Sequence, residues 1–114
     1  MVECLFCKIV QKEIPSEFIY EDDKIVAFKD IDPQAPTHVL IIPKMHYDSI
    51  MDVPEHQLEI VSHIHNVAKK LAKDIGIDKR GFRIVNNCGE EGGQSVQHLH
   101  YHLLGGRQLT WPPG

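Results

Sequence analysis

Between Gln97 and Leu104 histidine recurs at every second position, with Leu99 and Tyr101 between His98, His100 and His102. A period of two belongs to the β-strand, whose successive side chains point to opposite faces. The three imidazoles then share one face, while Leu99, Tyr101 and Leu103 take the other and anchor the strand in a core. Three adjacent rings are costly when all are protonated, because like charges disfavour one another. The pattern suits neutral rings, one acting as nucleophile or base while its neighbours fix the tautomer. The strand alone leaves two other readings open: an all-imidazole zinc site that activates water, and a solvated face that happens to carry histidine.

The remaining sequence predicts what surrounds this strand. Its 114 residues fit a single domain, residues 1–114, with room for a real core. A short helix is expected over Glu3 to Gln11. Two strands, Glu17 to Glu21 and Ile25 to Lys29, flank the polar link Asp22-Asp23-Lys24 and read as a hairpin. The two prolines of Asp30 to Pro36 make that stretch a loop, and Val39 to Ile42 reads as a buried strand. Asp52-Val53-Pro54-Glu55 has the form of a helix start. Leu58, Val61, Ile64, Ala68, Leu71 and Ile75 form that helix's apolar stripe, and Gly76 is its stop. His56, His63 and His65 fall on this helix and read as surface residues. Phe82 to Asn86 is a further strand, and Asn87 to Gln94 is the loop that leads toward the histidines. The order predicts an α+β fold with a mainly antiparallel sheet, one long helix and one short one.

Composition removes several classes of function. A net charge of −4 and a pI near 6.0 argue against general nucleic-acid binding. The longest apolar runs, such as Val39 to Pro43, cannot cross a bilayer, and no secretory signal is evident, so a cytoplasmic location without membrane association is expected. The cysteine count of three is odd, and Cys4 and Cys7 form a C-x-x-C pair, which fits a reducing compartment.

The loop before the histidines, Cys88-Gly89-Glu90-Glu91-Gly92-Gly93-Gln94-Ser95, is glycine-rich. Glycines let backbone N–H groups approach an anion, and Ser95 adds a hydroxyl beside them. Coupled to the histidines, the loop suggests an oxyanion cradle next to a nucleophile.

With these motifs the chain resembles the histidine-triad (HIT) hydrolases, whose signature alternates histidine with apolar residues as His98-Leu99-His100-Tyr101-His102-Leu103-Leu104 does here. Tyr101 is the departure, and its ring can still pack. Nearly the whole chain is similar to the nucleotide-binding Hint branch, through Lys12-Glu13-Ile14-Pro15, the run from Asp30 to His38, Gly92-Gly93-Gln94-Ser95-Val96 and the ending Trp111-Pro112-Pro113-Gly114. The resemblance implies the HIT fold, a homodimer built on the long helix and a neighbouring strand, and hydrolysis of purine nucleoside monophosphate conjugates. It implies that His100 attacks phosphorus, that His102 bonds the phosphate, and that His98 and His38 support the nucleophile and its proton traffic. Ser95, with Gly93 and Gln94, would meet the phosphate or leaving group, and Asn87 the phosphate–ribose region. Asp30 would accept from the ribose hydroxyls beside Ile31. Phe6, Ile9, Phe28 and Ile31 would wall the base, though plain core packing explains them as well. Trp111 would reach toward the partner's site.

Cys4 and Cys7 have the spacing of half a tetrahedral zinc site, and His46 and His98 are candidates for the other half. Some members of the family are similar in carrying such a structural zinc, and others lack the cysteines, so the chemistry requires no metal. Two reduced thiols on a short helix are the plain alternative. Cleavage of dinucleoside polyphosphates and a non-catalytic nucleotide-binding scaffold remain the rival functions.

Overall fold

The computed structural model describes residues 4–114. The opening helix, α1, spans Leu5–Val10, and Glu3 of the expected helix lies outside the described residues. Cys4 caps α1 by accepting the Cys7 N–H on its sulfur at 3.3 Å. Phe6 and Ile9, three residues apart, form the buried face of that helix. The hairpin is present as β1 (Phe18–Glu21) and β2 (Ile25–Lys29), and the buried strand β3 extends over Thr37–Pro43. β4 covers Phe82–Asn86 and β5 covers Tyr101–Gly105. All neighbours pair antiparallel, in the order β1-β2-β3-β5-β4. The α+β expectation holds.

Two boundaries differ from the sequence reading. The long helix α2 is Glu59–Ile75 and does not start at Asp52. Ser49 competes for that role: its hydroxyl accepts from Met51 N–H while Asp52 accepts from Ser49 N–H, both at 3.1 Å. This capping box is spent on a 3₁₀ turn, Ile50–Asp52, and a second 3₁₀ turn, Glu55–Gln57, carries His56 ahead of α2. Gly76 ends α2 as expected, in the left-handed region at φ 92°. The second difference concerns the histidines. Regular pairing in β5 begins only at Tyr101, so His98, Leu99 and His100 precede the ladder.

Alternation nonetheless continues through that irregular segment. Leu99, Tyr101 and Leu103 enter the core beneath α2 with Ile25, Ala27, Val39 and Ile41. The opposite face carries Val26, Phe28, Leu40 and Ile42, packed with Phe6 and Ile9 of α1. Leu40 pairs with His102 across β3 and β5, which puts that histidine on the α1 face. Within α2 the buried residues are Ile64, Val67, Ala68, Leu71 and Ala72. Leu58 and Ile75, expected in the stripe, lie at its two ends and are exposed.

His63 is not a free surface residue. Its Nε2 lies 2.7 Å from the Asp22 carboxylate, which also accepts from Tyr20 hydroxyl and from the N–H groups of Lys24 and Ile25. Burial alone would raise the Asp22 pKa, but these donors hold it well below the usual carboxylate range. Asp22 thus ties the β1–β2 turn to α2. Asp22→Ala should cost about 1–3 kcal/mol in urea unfolding, because it strands several donors at once. An unchanged denaturation midpoint would contradict this role.

Candidate active site and metal centre

The site grows out of three segments on the α1 face: the end of β2 with the loop after it, β3 with the turn that follows, and residues 94–102. Backbone groups there determine which nitrogen of each histidine carries the proton. His100 lies 2.7 Å by Nδ1 from the His98 carbonyl, which can only accept, so Nδ1 is protonated. Its Nε2 then keeps the lone pair and has no protein partner among the described residues, on a ring that is buried and keeps only slight contact with solvent.

His38 and His102 follow the same logic. The Gln34 N–H donates to His38 Nδ1 at 3.0 Å, which leaves the proton of the neutral ring on Nε2. That Nε2–H faces His102 Nδ1 at 2.8 Å, with an Asp30 carboxylate oxygen at 3.4 Å. His102 therefore accepts at Nδ1 and presents Nε2–H outward. Rings 100 and 102 stand edge to face, 5.1 Å apart. The result is a lone pair beside an N–H donor, an arrangement that can attack an electrophilic centre while hydrogen-bonding its oxygen.

Burial keeps these rings neutral. It pulls His102 down to about 4, helped by the nearby His100 and His38. It lowers His100 and His38 as well, despite the opposing charge of Asp30.

His98 plays a different part from its two neighbours. Its ring is fully buried, with Nε2–H donating to the Pro43 carbonyl at 2.9 Å. Its unprotonated Nδ1 lies 3.3 Å from Cys4 Sγ, 3.6 Å from Cys7 Sγ and 3.1 Å from His46 Nδ1. His46 donates Nε2–H to Asp48 at 2.6 Å, so its Nδ1 is also unprotonated. Two imidazole lone pairs cannot hydrogen-bond each other, and both point at two thiols. All four atoms lie within 4.8 Å of one another. Burial and then Cys4 push the Cys7 thiol up to about 11, so a thiolate here needs a cation beside it. This donor set fits a closed tetrahedral Cys₂His₂ centre, with Asp48 and Pro43 orienting the two histidines.

Asp30, His38 and His102 also converge closely enough to hold a metal ion. Their chemistry does not fit one. A metal on His38 Nε2 would require the proton on Nδ1, where the Gln34 N–H already points. The cluster instead forms a hydrogen-bonded chain that fixes the His102 tautomer.

The other expected site residues are distributed unevenly. Ser95 is exposed and its hydroxyl has no protein partner among the described residues. Asn87 donates to the Gly92 carbonyl at 2.7 Å and closes the loop. A Cβ on Gly92 would run into the backbone of Cys88. Gly93, at φ 77°, spends its N–H on Glu90, and Gln94 N–H goes to Gly89. The Gln94 side chain bonds Asp48, Val96 and Gly89 backbone groups. The N–H groups of Gly89, Gly93 and Gln94 thus close on the loop itself, while those of Glu90, Glu91, Gly92 and Ser95 have no protein acceptor among the described residues. Phe6, Ile9 and Phe28 are buried, whereas Ile31 is fully exposed beside Asp30. Trp111 lies far out on the tail, 80% exposed, against Arg83 of β4, so it does not enter this chain's own site.

Sequence reasoning missed the supports. Asn86 donates to the His100 carbonyl at 3.0 Å, and Arg107 donates to the Gln34 carbonyl at 3.0 and 3.2 Å. Asp48, two residues after His46, had a readable signal, since a carboxylate commonly orients a ligating histidine. Backbone acceptors such as Pro43 leave none.

The fold and these histidines define a triad protein, and the comparisons agree. The HIT domain model matches residues 11–109. The chain is 52% identical over 112 residues to the 14 kDa zinc-binding protein of Zea mays, covering 96% of this chain and 87% of that one. It is 48% identical over 112 residues to adenylylsulfatase HINT1 of Arabidopsis thaliana, covering 96% and 76%. A HIT family hydrolase from Legionella pneumophila Philadelphia 1 superposes with a TM-score of 0.96 at 55% identity, covering 98% of this chain and 100% of that chain. A histidine triad protein from Clostridium difficile gives 0.92 at 54%, covering 96% and 97%. The chain belongs to the HIT family, in its Hint-like branch, and has the HIT fold. No helix among the described residues is long and apolar enough to cross a membrane.

The depressed His102 pKa has a consequence for stability. In the unfolded chain this histidine takes up a proton near its ordinary value of about 6.5; in the fold it does so only near 4. Stability is therefore complete above about pH 6.5 and falls as pH drops toward 4. The thermal midpoint of His102→Asn should fall less steeply across that window than that of the wild type. Parallel curves would show that burial of His102 is not part of the acid sensitivity.

Proposed function

We propose that this protein hydrolyses purine nucleoside monophosphate conjugates, phosphoramidates and acyl-adenylates, through a nucleotidyl-histidine intermediate on His100. One observation carries the reading: the His98 carbonyl holds the proton on His100 Nδ1 and leaves an unshared pair on Nε2 that no described protein group occupies. In the first step that pair bonds to phosphorus as the bond to the leaving nitrogen or oxygen breaks. The leaving group takes its proton from a solvent water, and the exposed Ser95 is our candidate to contact that group. Water then displaces His100 and releases the nucleoside monophosphate. His102 donates Nε2–H to a phosphate oxygen, and the link from His38 and Asp30 keeps that donor in the right tautomer.

Asp30 is also our candidate for the ribose hydroxyls. One of its oxygens accepts Asp32 N–H at 2.8 Å and the other lies 3.4 Å from His38 Nε2, so the ribose would use their remaining lone pairs. The fully exposed Ile31, next to Asp30 in sequence, is our candidate apolar contact for a base. The name of the adenylylsulfatase relative fits a nucleotide substrate.

We read Cys4, Cys7, His46 and His98 as the ligands of one structural zinc, consistent with relatives named as zinc-binding. Four protein ligands leave no open position, so such an ion supplies cross-linking and not activation of water. We also read the protein as a cytoplasmic homodimer. In support, among the described residues β4 is an edge strand paired only with β5, which leaves its other side available to a second copy, and the exposed Trp111 lies against that strand.

The direct test is hydrolysis of an adenosine phosphoramidate by purified protein. Wild-type protein should turn it over, and His100→Ala should lose at least about a thousandfold in the chemical step while still binding AMP. Faster cleavage of dinucleoside polyphosphates would move the substrate assignment within the family. AMP binding without hydrolysis of either substrate would establish a scaffold.

A further inference from the structure

We infer that the Cys4, Cys7, His46 and His98 centre is a positioning device for the nucleophile, and that Cys4, Cys7 and His46 act on His100 through the peptide joining His98 to Leu99. The inference rests on the proposed role of His100. The peptide in question lies before Tyr101, where ladder pairing of β5 begins, so no strand neighbour fixes its plane. Its two polar ends are held otherwise. The carbonyl accepts His100 Nδ1–H at 2.7 Å, and the N–H donates to the Tyr47 carbonyl at 2.7 Å.

Both anchors run to the centre. His98 contributes its ring to the centre and its own carbonyl to the nucleophile. Tyr47 follows His46 directly, so the residue that accepts from Leu99 is placed by the second histidine of the set. A third route runs through Phe6, which stands between Cys4 and Cys7; its ring lies 5.9 Å from that of His98 and 5.1 Å from that of His100, edge to face with both. Side chains far apart in sequence thus meet on one peptide, whose carbonyl selects the His100 tautomer. When the centre opens, that peptide loses part of what fixes its plane, and the proton of His100 can reside on either nitrogen. Only the Nδ1–H form leaves the lone pair where phosphorus can be reached.

The test compares zinc-loaded protein, checked by elemental analysis at one zinc per chain, with protein stripped by a chelator and with Asp48→Asn, which keeps all four ligands but weakens the orientation of His46. Long-range ¹H–¹⁵N spectra of the imidazoles report the His100 tautomer directly, whether or not any substrate is turned over. The loaded protein should show a protonated Nδ1 alone. The stripped, still folded protein should show a mixture, with kcat lowered about tenfold or more and AMP affinity unchanged. Asp48→Asn should fall between the two, and it carries the test if stripping unfolds the chain. A single unaltered His100 tautomer with wild-type kcat in the stripped protein, or in Asp48→Asn if stripping unfolds the chain, would overturn the inference. So would protein that is folded and fully active yet takes up no zinc. Absence of hydrolysis together with the expected tautomer change would instead remove the functional reading and leave the coupling intact.

Discussion

The structure depends on burying neutral imidazole rings whose protons are assigned by backbone groups. A buried ring cannot leave its tautomer to solvent, and a wrong assignment would set two donors or two acceptors face to face. The Pro43 and His98 carbonyls and the Gln34 N–H make the assignment for His98, His100 and His38. His102 follows from His38. Three residues of one chemical type thereby acquire three roles: a ring turned to the thiols, a lone pair that no described protein group occupies, and an outward donor.

That division requires the sheet to keep its two faces distinct. Leu99, Tyr101 and Leu103 fix the segment against α2, and the stability of that packing holds the histidines on the α1 side. The α1 face carries both apolar side chains and the histidines. Phe6 packs with Phe28 at a centroid separation of 5.7 Å and also touches the His98 and His100 rings. The short helix can make these contacts because Cys4 caps it and, with Cys7, bounds it on the side of the centre.

Much of this was legible in the residues. Alternation of histidine with Leu99, Tyr101 and Leu103 assigned the two faces, and Gly76 marked the end of the long helix. The Cys4 and Cys7 spacing pointed to His46 and His98, which the fold does bring together. What failed to show has a common physical origin. Asp52 looked like a helix cap, but Ser49 lay close enough to claim it first. His63 looked exposed, since nothing local announces that Asp22, 41 residues earlier, will meet it. The glycine loop looked like a cradle, and nothing in its composition says which N–H groups close on their own turn, as those of Gly89, Gly93 and Gln94 do. The backbone acceptors that set the tautomers carry no residue-type signature at all.

The most direct measurement of the central claim, that His100 Nε2 is the attacking atom, is rapid acid-free quenching of turnover followed by peptide mapping. The account predicts a nucleotidyl adduct, labile to acid as phosphorus–imidazole bonds are, on the peptide that contains His100, and bonded through Nε2 because Nδ1 is held by the His98 carbonyl. An adduct on another residue, or turnover with no covalent species on a timescale where one should accumulate, would contradict it.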